Sequence, residues 1–189
     1  PSVKINPIAD ACGNAVIIPS AIFSDTNRID SVVWSFPGAN TLGSNVFNPN
    51  AISYDSSGNY CVSVSVYNRC GVATDSFCFK ILEPLGAVAK LDTTFGCLPD
   101  FTVGVVDLST GDSISYQWQV EPMSGIQINN PMMASPQFIF DDAEGWYLIK
   151  LSIFNDLCSG STWEDSIQVI HAPEVMVDSI PDFCEEAFI

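Results

Sequence analysis

The chain of 189 residues has little positive charge: 6 Lys and Arg and 1 His stand against 22 Asp and Glu, for a formal net charge of -16. A nucleic-acid-binding surface needs cationic side chains to displace the counterions of the phosphates, so this balance argues against a nucleic-acid partner. The same repulsion disfavours anionic membrane surfaces. An acidic surface favours cations instead, and Ca²⁺ above all.

Several other features are missing from the sequence. No apolar run approaches the roughly 20 residues that cross a bilayer, which predicts a protein that does not span a membrane. The first residues have neither the basic nor the apolar region of a signal peptide. We therefore expect this chain to be part of a longer protein whose targeting signals lie outside it. There is no Asn-x-Ser/Thr sequon, no Cys-x-x-Cys pair that would suggest zinc, and no sustained helical period.

What the sequence does contain is one strand pattern written twice. From Tyr60 to Val66 within residues 58–68, large residues alternate with cysteine and serine, which predicts a strand with one buried face, and the strand pattern returns in residues 145–155. Tyr60 and Tyr147, the first large residues that we place inward, are 87 residues apart. The inward sets are Tyr60, Val62, Val64, Val66 and Tyr147, Ile149, Leu151, Ile153.

Other landmarks recur at nearly the same interval, as they do in tandem copies of one domain. Trp34 and Trp118 are 84 residues apart, Cys12 and Cys97 are 85 apart, and Cys97 and Cys184 are 87 apart. Short strands separated by turn residues predict an all-β fold of antiparallel β-sandwiches. The predicted units are residues 1–84, residues 85–173, and the start of a third copy at residues 174–189.

Seven cysteines suggest that these small domains are held by disulfides. Cys61 and Cys78 have outward parity on consecutive predicted strands, and folding the hairpin between them sets one opposite the other. We predict a bond between them that contributes about 3 kcal/mol in the chain-entropy model.

The remaining cysteines are paired here by their recurrence. Cys12 recurs as Cys97, and Cys70 recurs as Cys158, so we predict the bonds Cys12–Cys70 and Cys97–Cys158. Cys184, the third copy's counterpart of Cys12, is left unpaired, with a partner expected beyond the chain. The alternative is a set of reduced, buried thiols. Disulfides imply an oxidising, extracytoplasmic compartment.

These motifs resemble the PKD domain, an immunoglobulin-like sandwich of extracellular repeats. The resemblance covers both full copies, but the Asp-Phe-Gly-Asp-Gly that usually follows the family's Trp is replaced after Trp34 and Trp118. The motifs that carry it are Pro49-x-x-Ile52-x-Tyr54, then Gly58-x-Tyr60 to Asn68, and in copy two Asp107-Leu-Ser109-Thr-Gly111, Tyr116-x-Trp118 and Gly145-x-Tyr147 to Asn155.

The resemblance extends to cysteine-bearing repeats of large surface adhesins of Bacteroidetes, including the gliding-motility adhesin of flavobacteria. It implies a non-enzymatic spacer at the cell surface, in contact with neighbouring repeats of the same polypeptide, that extends a distal adhesive region from the cell. Two alternatives stay open: a module that binds surface glycan or protein, and an accessory domain of a secreted hydrolase.

Few residues suggest chemistry. His171 lies in a linker without an accompanying catalytic motif, so no catalytic residue is predicted. Asp141, Asp142 and Glu144 lie in one turn and are candidate Ca²⁺ ligands, against the alternative of a solvated acidic turn; no other cofactor is predicted. Trp146 has outward parity and is a candidate platform for sugar stacking, against the alternative of an ordinary exposed side chain.

Overall fold

The computed structural model describes residues 1–24, 26–141 and 144–176. Within them the chain forms β-strands and one short 3₁₀ helix, Thr26–Arg28. No helix in these ranges has the length and hydropathy of a membrane span. The strands of the first half are β1 (Val3–Ile5), β2 (Ala11–Cys12), β3 (Ala15–Ile17), β4 (Ala21–Phe23), β5 (Ser31–Ser35), β6 (Gly43–Ser44), β7 (Ile52–Tyr54), β8 (Gly58–Asn68) and β9 (Gly71–Leu82).

The second half follows a similar plan with eight strands. They are β10 (Ala89–Leu91), β11 (Phe95–Leu98), β12 (Phe101–Asp107), β13 (Ser115–Glu121), β14 (Ile126–Ile128), β15 (Gln137–Phe140), β16 (Gly145–Phe154) and β17 (Ser161–His171).

The first sandwich packs a five-stranded sheet, in the order β2-β9-β8-β5-β6, against the pairs β1-β4 and β3-β7. Its sheet is centred on β8, where alternation buries Val62, Val64 and Val66 completely. Tyr60 is only half-buried at the rim of the core. Trp34 on β5 is 1% exposed and lies in the same cluster, because the valines of β8 and the Trp point from one sheet face into the core.

The second sandwich faces one four-stranded sheet, β10-β12-β15-β14, against another, β11-β17-β16-β13. Its buried cluster includes Trp118 and the whole predicted inward set of β16. The two core clusters share no residue: one draws on residues between 5 and 81, the other on residues between 89 and 169. The chain therefore holds two hydrophobic cores in series.

In both sandwiches the second strand is a short edge strand that runs parallel to the last strand. β2 pairs with β9, where Cys12 lies opposite Leu82, and β11 pairs with β17, where Cys97 lies opposite Ile170. The sequence did not reveal these parallel strands, because they are short and have no apolar alternation. The same is true of β6 and β14, which are two and three residues long.

Candidate functional site

The most distinctive site is a covalent junction between the two sandwiches. Cys12, on the edge strand β2 of the first sandwich, is bonded to Cys158, in the connection between β16 and β17 of the second. The two Cα atoms are 5.2 Å apart, and the two residues are 146 positions apart in the sequence. Cys158 is 7% exposed, so the bridge is packed into the junction.

This bridge corrects the predicted pair Cys12–Cys70. Cys12 lies opposite Leu82, at the last residue of β9, whereas Cys70 lies in the turn before the first residue of β9. A strand of 12 residues is about 36 Å long at about 3.3 Å per residue. Since disulfides need Cα atoms within about 7 Å, the two cysteines cannot meet.

The predicted pair Cys97–Cys158 is wrong for the same reason. Cys97 lies opposite Ile170, near the end of β17, while Cys158 precedes the start of that strand. Cys70 and Cys97 are instead exposed free thiols in the described part of the chain. Cys184, predicted to be unpaired, lies outside the described residues.

A second bridge lies within the first sandwich. Cys61 and Cys78 are direct partners in the β8–β9 ladder, and their sulfurs are bonded across the hairpin with Cα atoms 4.0 Å apart. Both side chains lie on the outer face of the sheet, opposite to the face that buries the valines of β8. This bridge fixes the hairpin within the first sandwich.

Asp112 forms the polar part of the junction. Its Oδ2 accepts a 3.0 Å hydrogen bond from the Glu83 amide, and its Oδ1 lies 3.6 Å from the Lys80 ammonium. The hydrogen bond from Glu83, followed by the charge of Lys80, holds the pKa of the Asp112 carboxyl below its ordinary value. Sequence reasoning missed this residue, because a single exposed carboxylate before a strand gives no signal of its own.

Asn155 connects the carboxylate to the cysteine. Its Nδ2 donates a 2.8 Å hydrogen bond to the Asp112 carbonyl, and its Oδ1 accepts hydrogen bonds from the amides of Leu157 and Cys158, at 2.9 and 2.6 Å. One side chain thus positions both groups that engage the first sandwich. The recurrence of Asn68 as Asn155, 87 residues later, is a signal that the sequence did contain.

The linker between the two sandwiches, which includes Leu85 and Gly86, also packs against the second sandwich. Gly86 and Thr110 form a two-way backbone bridge with N···O distances of 3.0 and 2.9 Å. Gly111 has a φ of +124°, and a Cβ there would lie 2.7 Å from Leu85 Cδ2. Both the backbone conformation and the close approach of the linker therefore require glycine at this position.

Tyr116 ties together the two layers of the second sandwich. Its hydroxyl donates a 2.7 Å hydrogen bond to Asp107 Oδ2, and the Ser109 amide donates to Oδ1 of the same carboxylate at 3.0 Å. Burial, together with the neighbouring carboxylate, raises the pKa of Tyr116 to about 12, so the phenol stays protonated and keeps this bond.

A second candidate site is an aromatic face on the outer side of the β11-β17-β16 sheet. Trp146 is 64% exposed, as its parity predicted, and it lies directly opposite Gln168 on β17. Gln168 is also the cross-strand neighbour of Phe95 on β11, which is 50% exposed. The Gln168 side chain therefore lies between two aromatic residues on the strands to either side. At the usual strand spacing, the backbones of Phe95 and Trp146 are about 10 Å apart. Trp163 instead packs against the core.

The acidic turn is described only in part. Asp141 Oδ2 accepts a 2.9 Å hydrogen bond from Gln127 Nε2, and Glu144 precedes β16. Asp142 lies outside the described residues. Among the residues that are described, no cluster of three or more His, Cys, Asp or Glu side chains has the arrangement of a metal site. The Ca²⁺ site stays a prediction.

Solved structures share this arrangement of strands. No family model matches the sequence, and no curated protein matches it either. The chain is similar to an I-band fragment, I67-I69, from titin, with a TM-score of 0.52 at 13% identity over 88% of this chain and 64% of that one. It is also similar to immunoglobulin domains 1-4 of Sidekick-1, with a TM-score of 0.52 at 12% identity over 90% and 49%. The fold is immunoglobulin-like.

A third similar structure contains three N-terminal domains of the Hoc outer capsid protein of bacteriophage RB49. Its TM-score is 0.50 at 9% identity, over 90% of this chain and 70% of that one. The chain spans about two thirds or less of the titin and Sidekick-1 structures. At such identities the similarity shows an immunoglobulin-like sandwich fold, and function has to be argued from the two sites.

Proposed function

We propose that this chain is a non-enzymatic spacer of a secreted cell-surface adhesin, in which immunoglobulin-like units at residues 1–84 and 85–173 extend a distal adhesive region from the cell. The observation that carries the proposal is the Cys12–Cys158 bridge between the two sandwiches. A spacer must resist bending between its units, and a bond across the linker removes that freedom.

Three further observations support this proposal. Asp112, Asn155 and Gly111 add polar and packing contacts at the same junction. The disulfides suit an oxidising, extracellular setting. The sequence resemblance to PKD repeats of Bacteroidetes adhesins, including those of gliding motility, names the kind of protein in which such units serve.

A second candidate function is glycan binding at the face formed by Phe95, Gln168 and Trp146. Exposed aromatic rings offer the apolar face on which a sugar ring stacks, and the Gln168 amide between them offers a donor and an acceptor for its hydroxyls. On this proposal the units themselves bind a surface glycan, so the chain would be adhesive rather than only extend a distal adhesive region.

The spacer function is tested on the cells that produce the protein, with Cys12 and Cys158 both replaced by alanine. We expect the variant to reach the surface, as shown by antibody labelling of intact cells. Adhesion under flow should fall while static adhesion is retained, because the alignment of the units is lost while the distal adhesive region is unchanged. Adhesion under flow equal to that of the wild type would contradict the proposal.

Glycan binding predicts a different result. Trp146→Ala and Phe95→Ala should each weaken binding of the isolated chain on a glycan array by about fivefold, since loss of one stacking contact costs on the order of 1 kcal/mol. Phe154→Ala is the matched control, because Phe154 is 46% exposed at the opposite end of the strand that carries Trp146. An array without signal, or equal losses in all three variants, would reject this function.

A further inference from the structure

The two free thiols occupy the same positions as the two bonded cysteines of the junction. Cys97 lies opposite Ile170 at the end of β17, just as Cys12 lies opposite Leu82 at the end of β9. A backbone hydrogen bond follows each pair, from Gly13 to Leu82 at 2.8 Å and from Ala172 to Leu98 at 3.3 Å. Cys97 is exposed and unbonded at the far end of the second sandwich.

Cys70 is likewise the counterpart of Cys158. Each follows an asparagine at the end of the preceding long strand, and that asparagine's Oδ1 accepts a hydrogen bond from the cysteine amide. The distances are 2.9 Å from Cys70 to Asn68 and 2.6 Å from Cys158 to Asn155. The asparagine that accepts the hydrogen bond of the Cys158 amide therefore has a counterpart beside Cys70.

The surface around Cys70 is a polar recess of about 350 Å³. At the corresponding end of the second sandwich, Asp112 and Cys158 receive Glu83 and Cys12 of the sandwich before it. The residues that line the recess are Asn27, Arg28, Asp30, Asn68, Arg69 and Cys70.

We propose that Cys97 forms a disulfide with the hairpin cysteine of a further sandwich that follows in the same polypeptide, and so repeats the Cys12–Cys158 junction. Cys70 has the role of Cys158 toward the edge-strand cysteine of a sandwich on its N-terminal side. The sequence itself supports continuation, because Cys184 stands 87 residues after Cys97, as Cys97 stands 85 after Cys12. Each sandwich would then be bonded to both of its neighbours, independently of what the array adheres to.

The bond forms by thiol–disulfide exchange with a small-molecule disulfide such as oxidised glutathione. The Cys97 thiolate attacks one glutathione sulfur and releases one glutathione thiolate; the partner thiolate then attacks the Cys97 sulfur and releases the second. Two protein thiols lose two electrons and two protons, and one glutathione disulfide becomes two glutathione thiols.

The test uses a three-sandwich protein in which residues 85–173 are repeated after Pro173. Cys70→Ser removes one competing thiol, and Cys97→Ser in the added copy removes the other, so only the original Cys97 is followed. The new linker keeps the Pro-Leu-Gly sequence of Pro84 to Gly86. After equilibration with glutathione, alkylation and digestion, we expect a peptide that joins Cys97 to the second copy of Cys158. Alkylation of Cys97 should fall about tenfold or more relative to the 189-residue chain, because the linker holds the partner at roughly millimolar effective concentration.

A second arm uses the 189-residue chain itself, with Cys184→Ser in every sample. Mixing the Cys70→Ser variant with the Cys97→Ser variant should give a disulfide dimer through Cys97 and Cys70, with about tenfold more product than either variant alone. Equal amounts of dimer in the mixture and in the separate variants would overturn the proposal. So would a Cys97 that stays as reactive in the three-sandwich protein as in the shorter chain.

Discussion

Replacing Cys12 and Cys158 with alanine is expected to destabilise the chain by up to about 5 kcal/mol and to split its unfolding into two transitions. In the chain-entropy model, closing a loop with a sequence separation of 146 contributes about 5 kcal/mol to the free energy of unfolding. The two cores share no residue, so once the bridge is gone only the linker and the Asp112 contacts couple them. Calorimetry of the oxidised wild type and the double variant measures both effects.

Cys70→Ala is the control for this experiment, since Cys70 is exposed and forms no disulfide in the described structure. Its unfolding profile should match that of the wild type within about 0.5 kcal/mol, as for most surface substitutions. A double variant that still unfolds in one transition at the wild-type temperature would show that the bridge does not couple the sandwiches.

Trp118→Ala should reduce the free energy of unfolding of the second sandwich by about 3 to 5 kcal/mol. The side chain is 2% exposed, and its ring makes edge contacts with Phe138 and Trp163 at centroid distances of 5.9 and 6.2 Å. Its Nε1 also donates a 3.0 Å hydrogen bond to the Met133 carbonyl, so the substitution removes packing and leaves an acceptor without its donor. Urea unfolding followed by circular dichroism measures the loss.

The matched control is Trp146→Ala, which removes the same side chain from an exposed position in the same sandwich. Its effect on stability should stay below about 1 kcal/mol, because little packed surface is lost. If the two tryptophan variants had equal stability, the assignment of Trp118 to the core would be wrong. Cores of this size have little stability to lose, so Trp118→Ala should also leave part of the second sandwich unfolded without denaturant.

The fold could be predicted from the sequence wherever a strand crosses the core. Val62 to Val66 and Ile149 to Ile153 alternate with small or polar residues, and a period of two fixes which face is buried. Short strands at the edges escaped prediction, because two or three residues such as those of β2 or β6 contain no period. The repeat interval located the two cores, because Trp34 and Trp118, which are 84 residues apart, each lie in the core of one sandwich.

The junction could be predicted only in part. The recurrence of Cys12 as Cys97 and of Cys70 as Cys158 correctly identified equivalent positions in the two sandwiches. The sequence did not show which cysteines are bonded, because alternation along a strand shows which face a side chain occupies and not which end of the sandwich it reaches. Because β2 runs parallel to β9, Cys12 lies at the end of the strand that points to the next sandwich. Contacts such as those of Asp112 depend on that docking, and no local pattern predicts them.

The Cys12–Cys158 bridge also determines which bonds carry a mechanical load. If force is applied to the two ends of the chain, it passes from the first residues through the sulfurs to the segment after Cys158, and the polypeptide between the two cysteines bears none of it. The polypeptide between Cys12 and Cys158 has a contour length of about 500 Å at roughly 3.5 Å per residue. In an oxidised chain the polypeptide between the two cysteines therefore cannot extend under load, and a reductant would release this hidden length.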